Sequence, residues 1–278
     1  IVASSVSFLD NEARRTDTLL DVNLNPLFSA PRINMVYKGL HGPYFITYQK
    51  NRTEIISADT LKPVYVVDPE QEFTYFDGEV LIVYGENAQT GEETMRLLDV
   101  DGNELFCAED LISAQPQSSK ARAEQFLAVE AETAMVIDRN GQVLKSQTIP
   151  GLSGLYCDRE GFYFYEAYNP EGKIRTGMLD ATLQIVIPAE TYETLAIATL
   201  QDYLIEPMDY LLASRSVKNA ELTDILDLNG NVIFAGASRI FSRGQDRFAV
   251  LRGEEAGLIN GQGEWLVKRS VYSLGWDD

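Results

Sequence analysis

The chain has 278 residues, 45% of them apolar, which is ample for a core. Its 42 acidic residues outweigh 23 Lys and Arg, and a net charge of −19 argues against nucleic acid or an anionic membrane as partner. No run nears the ~18 apolar residues of a membrane span, and two cysteines and one histidine are too few for a disulfide framework or metal cluster.

The predicted elements are short strands separated by turn residues. Ile1–Leu9 reads as a strand, Asp10–Asp17 as a polar loop carrying Arg14 and Arg15, and Thr18–Val22 with Leu27–Ser29 as a hairpin. A fuller unit follows, with strands at Ile33–Tyr37, Tyr44–Tyr48, Glu54–Ser57 and Val64–Val67. The next has strands at Phe73–Phe76, Val80–Tyr84, Met95–Val100 and Glu104–Cys107, with a polar loop at Gly85–Glu93. The fourth unit is irregular: Leu111–Gln115, a polar Ser118–Gln125 that could turn as a helix, then Phe126–Glu130, Ala134–Asp138 and Val143–Lys145.

The fifth unit runs Gly154–Cys157, Phe162–Ala167, Ile174–Asp180 and Ile185–Ile187, with Asn169-Pro170 starting a turn. The sixth holds Thr194–Ala198, an insertion at Gln201–Asp209, Tyr210–Ala213, Thr223–Leu228 and Val232–Ala235. The seventh has Arg239–Ser242, Arg247–Leu251, Gly257–Ile259 and Trp265–Lys268, and Val271–Trp276 reads as one more first strand.

The clearest hairpin is Asp224–Phe234, two apolar runs around Asn229-Gly230, a pair typical of two-residue turns. Its Asp227 has counterparts at Asp21, Ser57, Asp99, Asp138, Asp180 and Asn260, each followed by a second apolar run. The gaps are 36, 42, 39, 42, 47 and 33 residues, near the spacing of about 40 of a four-stranded propeller blade. The 18 residues after Asn260 and the 21 up to Asp21 together make one more repeat. The expectation is an all-β single domain over residues 1–278. It is a seven-bladed β-propeller of four-stranded blades, closed by the C-terminal strand pairing with the N-terminal strands. An open array would need polar caps, which the ends lack.

The stretch Gly257–Trp265, preceded by Phe248-Ala249-Val250, resembles a bacterial tryptophan-glycine (WG) repeat. Met178-Leu179-Asp180 with Val186-Ile187-Pro188 resembles it too, as does Ile225-Leu226-Asp227; most units lack the Trp-Gly pair, and Gly275-Trp276 reverses it. The resemblance implies an exported or cell-surface bacterial repeat protein and carries over no catalytic residues. Residue 1 is Ile, so a signal or anchor is expected outside the given sequence.

Candidate sites follow from the loops. Asp99-Val100-Asp101-Gly102-Asn103-Glu104 has the oxygens of a calcium loop, but its Gly comes early and Asp-Gly also suits a hairpin turn. His41 before Gly42-Pro43 reads as a turn residue. Cys107 and Cys157 fall on different units and are not expected to pair. No Gly-x-Ser-x-Gly elbow or phosphate loop is present.

The aromatic run Phe162–Tyr168 either packs between sheets or offers rings for sugar or peptide stacking, with Tyr168 and Asn169 at its exposed end. The loops joining second to third strands share one face with the connections between units. That rim places Arg15, Arg52, Asn87, Tyr168, Asn169 and Lys218 as candidate ligand-binding residues, beside Arg14, Lys50, Glu86 and Asn219. The function expected is a monomeric, non-enzymatic binding or scaffold module for a protein, peptide or glycan, without cofactor or metal. The alternative is a carbohydrate-active propeller with paired carboxylates in the central funnel.

Overall fold

The computed structural model describes residues 2–9, 12–39, 42–49, 52–68, 71–86, 91, 93–114, 122–199, 207–218, 220–244 and 246–270. His41, Asn87, Lys50, Asn219, the expected tail strand 271–276 and residues 118–121 of the 118–125 segment lie outside them. Every element described is a strand, and they form seven antiparallel sheets with strands in chain order, the plan of propeller blades.

Sheet one has three strands, β1 (Val2–Leu9), β2 (Glu12–Leu20) and β3 (Pro26–Ala30). Sheet two has β4 (Ile33–Gly39), β5 (Gly42–Gln49), β6 (Arg52–Ser57) and β7 (Pro63–Val67). Sheet three has β8 (Gln71–Phe76), β9 (Val80–Glu86), β10 (Glu93–Asp99) and β11 (Glu104–Ala108). Sheet four has β12 (Asp110–Ser113), β13 (Gln125–Glu130), β14 (Thr133–Asp138) and β15 (Val143–Thr148).

Sheet five has β16 (Leu152–Arg159), β17 (Phe162–Tyr168), β18 (Ile174–Asp180) and β19 (Ile185–Ile187). Sheet six has β20 (Thr194–Thr199), β21 (Pro207–Val217), β22 (Ala220–Asp227) and β23 (Val232–Ala237). Sheet seven has β24 (Arg239–Ser242), β25 (Arg247–Arg252), β26 (Glu255–Asn260) and β27 (Trp265–Ser270).

The chain groups into two compact units. The first comprises Ile1–Ala114 with Lys120–Ala131 and Val136–Leu144; the second comprises Gln115–Ser119, Glu132–Met135 and Lys145–Asp278. In the first unit, β2 packs on β4 and β3 on β5, as β10 does on β12 and β11 on β13. By that pattern the three strands of sheet one occupy the second, third and fourth blade positions. Aromatic pairs fill these sheet-to-sheet layers: Phe28 meets Phe45 at 5.2 Å, Tyr44 meets Phe76 at 5.4 Å and Tyr75 meets Phe126 at 5.6 Å. Burying one such ring contributes roughly 1.5–3 kcal/mol. In the second unit β18 packs on β20 and β22 on β24, and Tyr210 meets Phe248 edge-on at 5.2 Å.

Middle strands are apolar on both faces because sheets cover both. The second half of β6 is wholly buried, while all six residues of the outer strand β15 are exposed.

Two expectations need correction. Glu12–Asp17 belongs to β2 and not to a loop, because Asp17 turns inward and is fully buried. The marker turns are not two-residue hairpins. In each of six, the marker amide donates to the carbonyl four residues on, and the residue three on returns its amide to the marker carbonyl. That residue takes a left-handed φ, as in Gly102 (84°), Gly141 (78°), Gly230 (80°) and Leu183 (66°). This is a three-residue loop closed by a left-handed bulge, and the marker carboxylate supports it. Asp227 Oδ1 accepts the amides of Asn229 and Asn231 at 2.9 and 2.8 Å.

Candidate functional site

The run Phe162–Tyr168 pairs with β16 and β18. Tyr163, Phe164 and Tyr165 are buried, and Phe164 stacks on Tyr156 at 5.4 Å, so most of the run is packing. Tyr168 ends β17, paired with Ile174 of β18, and is 52% exposed. Asn169 then repeats the marker turn on the loop between second and third strands. Its side-chain oxygen accepts the amides of Glu171 and Lys173 at 3.0 and 2.9 Å, and Gly172 has φ 74°. Both Tyr168 and Asn169 are therefore held by a rigid turn.

Within the second unit these residues line a cleft of about 670 Å³. One wall is Ile149-Pro150-Gly151, the lead-in to sheet five; a second is Pro188-Ala189-Glu190, the exit toward sheet six. Tyr168, Asn169 and Pro170 form the lip, and Tyr165, Ala167, Arg175 and Ile185 complete the lining. The first wall is clasped: Gly151 accepts the Tyr168 amide at 2.7 Å and donates its own to Glu132 Oε1 at 2.9 Å. A Cβ on Gly151 would lie 2.5 Å from the Tyr168 carbonyl oxygen, so only glycine fits. Glu132 itself has φ 63°, a left-handed conformation uncommon for a residue with a Cβ.

The local sequence explains the cleft. Three residues before the marker, sheets two and six carry the buried acids Glu54 and Asp224, facing the small Thr47 and Ala213 on the neighbouring strand. Sheet five has Gly177 there, facing Tyr165. A Cβ on Gly177 would lie 2.3 Å from the Tyr165 ring, so the ring occupies that space. Its hydroxyl accepts the Ala189 amide at 3.0 Å, fixing the second wall.

Arg175 stands where sheet two has Arg52. Arg52 pairs at 2.7 Å with Glu54, two residues on; Arg175, lacking that acid, reaches Glu193 at 3.0 Å through Nη1. Ser216 and Arg175 together hold the Glu193 carboxyl below the usual carboxylate range. Burial pushes the Tyr165 phenol up, outweighing the Ala189 amide, so it stays neutral at pH 7. Among the described residues the other guanidinium N–H groups of Arg175 and the Asn169 side-chain NH₂ have no partner. Among the described residues Glu190 is the one carboxylate lining the cleft. The arrangement presents apolar walls, two donor groups and one acid.

The remaining sequence candidates are dispersed. Arg15 lies within β2, paired at 2.8 Å with Asp17, which also accepts the Ile33 amide. Arg52 opens β6 and is held by Glu54. Lys218 sits exposed in the tight turn between β21 and β22 with φ 50° and does not line the cleft. Asp99 Oδ1 accepts the amides of Asp101 and Asn103, and Oδ2 the Asn103 side chain, so both oxygens serve the turn. Cys107 and Cys157 are free thiols. Sequence reading missed Arg175, Glu190 and the prolines; Gly177 in the place of an acid was the available signal.

No family model matches the chain, and no curated protein matches it. The tryptophan-glycine resemblance therefore stands on its motif residues alone. Among solved structures, a eukaryotic initiation factor is similar at 12% identity and TM-score 0.48, over 92% of this chain and 75% of that one. The WD40 domain of Neurospora crassa Pan2 is similar at 12% identity and TM-score 0.33, over 89% and 85%. A protein of unknown function from Bacteroides caccae follows at 12% and 0.29, over 84% and 92%. These scores fall below 0.5, so the architecture rests on the strand order and pairing described above.

Proposed function

We propose that this chain is a non-enzymatic binding or scaffold β-propeller that engages a protein, peptide or glycan through its loop rim. In this reading the seven sheets are blades of one domain, and the C-terminal strand closes the ring by pairing with the N-terminal strands; it is supported by the packing of the described strands of sheet one in the second, third and fourth blade positions. Export or surface display belongs to the same proposal and is supported by the tryptophan-glycine resemblance alone.

The observation that carries the reading is the cleft beside Tyr168 and Asn169. It is of ligand size, sits among loops on a strand framework, and is mostly apolar with a few fixed polar groups. Glycoside cleavage needs two carboxyl groups about 5–9 Å apart, and among the described residues Glu190 alone lines the cleft with a carboxylate. A thermal-shift screen with oligosaccharides, cell-wall fragments, peptides and calcium with a chelator control tests the reading. A ligand bound only by the folded state, at 100 times its dissociation constant, adds about 2.7 kcal/mol of stability. Binding without turnover is the expected result. Turnover of a glycan or peptide, abolished by one carboxylate substitution, overturns it.

A further inference from the structure

We infer that the sheet-five cleft recognises an extended, proline-containing peptide segment bearing a basic residue; this rests on the binding-module reading and names its ligand.

The walls come first. Pro150, Pro170, Pro188 and Ile149 present fixed apolar surfaces, and the half-exposed Tyr168 ring stands at the lip. An oligosaccharide would bring several hydroxyls against these walls, and each buried hydroxyl left unpaired costs about 1–3 kcal/mol. A phosphate-bearing ligand would meet one guanidinium already shared with Glu193, plus the acid Glu190. A polyproline-type segment fits both features. Its rings pack on aromatic and prolyl surfaces, and its carbonyls, unused internally, need outside donors. The Asn169 NH₂ and the uncommitted Arg175 N–H groups are such donors. Because the Asn169 oxygen is committed to two amides, the turn fixes the NH₂ as the group left for a ligand.

Charge sets the flank. Glu190 is exposed on the second wall, and the chain carries −19 overall. An acidic surface draws a basic segment and repels an acidic one.

The experiment is isothermal titration of the full chain with blocked synthetic peptides. One carries two prolines and a lysine, its counterparts replace lysine by glutamate or both prolines by glycine, and a neutral oligosaccharide series serves as comparison. The lysine peptide should bind, with affinity falling about tenfold or more on loss of proline or in the Tyr168→Ala variant. Glu190→Lys should invert the preference, favouring the glutamate peptide. Circular dichroism checks that both exposed-site variants keep the fold. Glycan binding that Tyr168→Ala abolishes would overturn the peptide assignment while leaving the binding-module reading standing. Peptide binding indifferent to Tyr168→Ala and Glu190→Lys would overturn the cleft as its site, and no binding by any peptide would overturn the proposal outright. Turnover of any probe would instead bring down the broader reading.

Discussion

The Tyr165 ring fills the space that a side chain on Gly177 would need: a Cβ there would stand 2.3 Å from the ring. Gly177→Ala must therefore push out a buried ring whose hydroxyl holds the Ala189 amide. Overpacking of this kind costs about 1–3 kcal/mol. The expected outcome is a lower midpoint in urea together with loss of ligand binding at the cleft. Adding Tyr165→Ala to a Gly177→Asp change recreates the Ala213/Asp224 pair of sheet six. That double variant should recover stability relative to Gly177→Asp alone while its cleft stays inactive, read by the same denaturation and titration.

The left-handed turn glycines should differ in cost by what surrounds them. At Gly172 nothing lies within 4 Å of an added Cβ, so Gly172→Ala carries only the left-handed penalty of about 1–2 kcal/mol. At Gly141 the Cβ would lie 2.0 Å from the Leu105 carbonyl oxygen, and Gly141→Ala should cost about 3 kcal/mol or more. Scanning calorimetry would separate them, at about 2–4 °C per kcal/mol for a domain this size. Equal shifts would refute the backbone contact as the cause.

Much of the fold was legible because the marker acids impose the turns chemically. Each Asp gathers the amides two and four residues on, so its spacing reports the sheets directly. The turn geometry was misread because Asn-Gly suits both a two-residue hairpin and a longer loop; only the φ values separate them, with Gly230 left-handed at 80°. The Glu12–Asp17 part of β2 was hidden because its buried Asp17 is charged and paired to Arg15 on the same face, which breaks the apolar alternation. The cleft was only half legible. Tyr168 and Asn169 stood out locally, but their walls come from residues 149–151 and 188–190, which nothing short-range connects to them.

Alkali should weaken the fold through buried phenols. Burial and then its bond to Asp246 push Tyr210 up to about 12, and burial with the nearby Asp158 and Glu166 charges pushes Tyr156 up to about 12. A phenol held neutral in the folded state stabilises it fully below the ordinary value near 10. That contribution declines as pH rises from there through the folded value. Stability should therefore fall between about pH 10 and 12. Tyr210→Phe should flatten the decline, measured as urea midpoint against pH. An unchanged slope would show that Tyr210 does not couple folding to alkali.

A buried charge cluster lies in the first unit. Arg139 grips Asp77 with two N–H groups at 2.6 and 3.0 Å, reaches Glu79 at 3.1 Å, and donates to the Ala123 carbonyl at 2.5 Å. Arg139 and Asp77 are each 10% exposed, so this is a buried pair. Removing one partner strands the other, and Arg139→Ala should cost about 3–5 kcal/mol. Lysine keeps the charge but not the fork, so Arg139→Lys should recover only part of it. Replacing both, as Arg139→Met with Asp77→Leu, should be milder than either single loss. Burial raises the Asp77 carboxyl, but the Arg139 bonds and the Val80 and Glu79 amides outweigh it, leaving it below its ordinary value. The stabilisation is thus full above the unfolded value near 4 and disappears as pH falls through the folded one. Acid titration of the wild type and Arg139→Met/Asp77→Leu should diverge below pH about 4, with the double variant less sensitive. Coincident acid curves would show that the pair contributes nothing to pH-dependent stability.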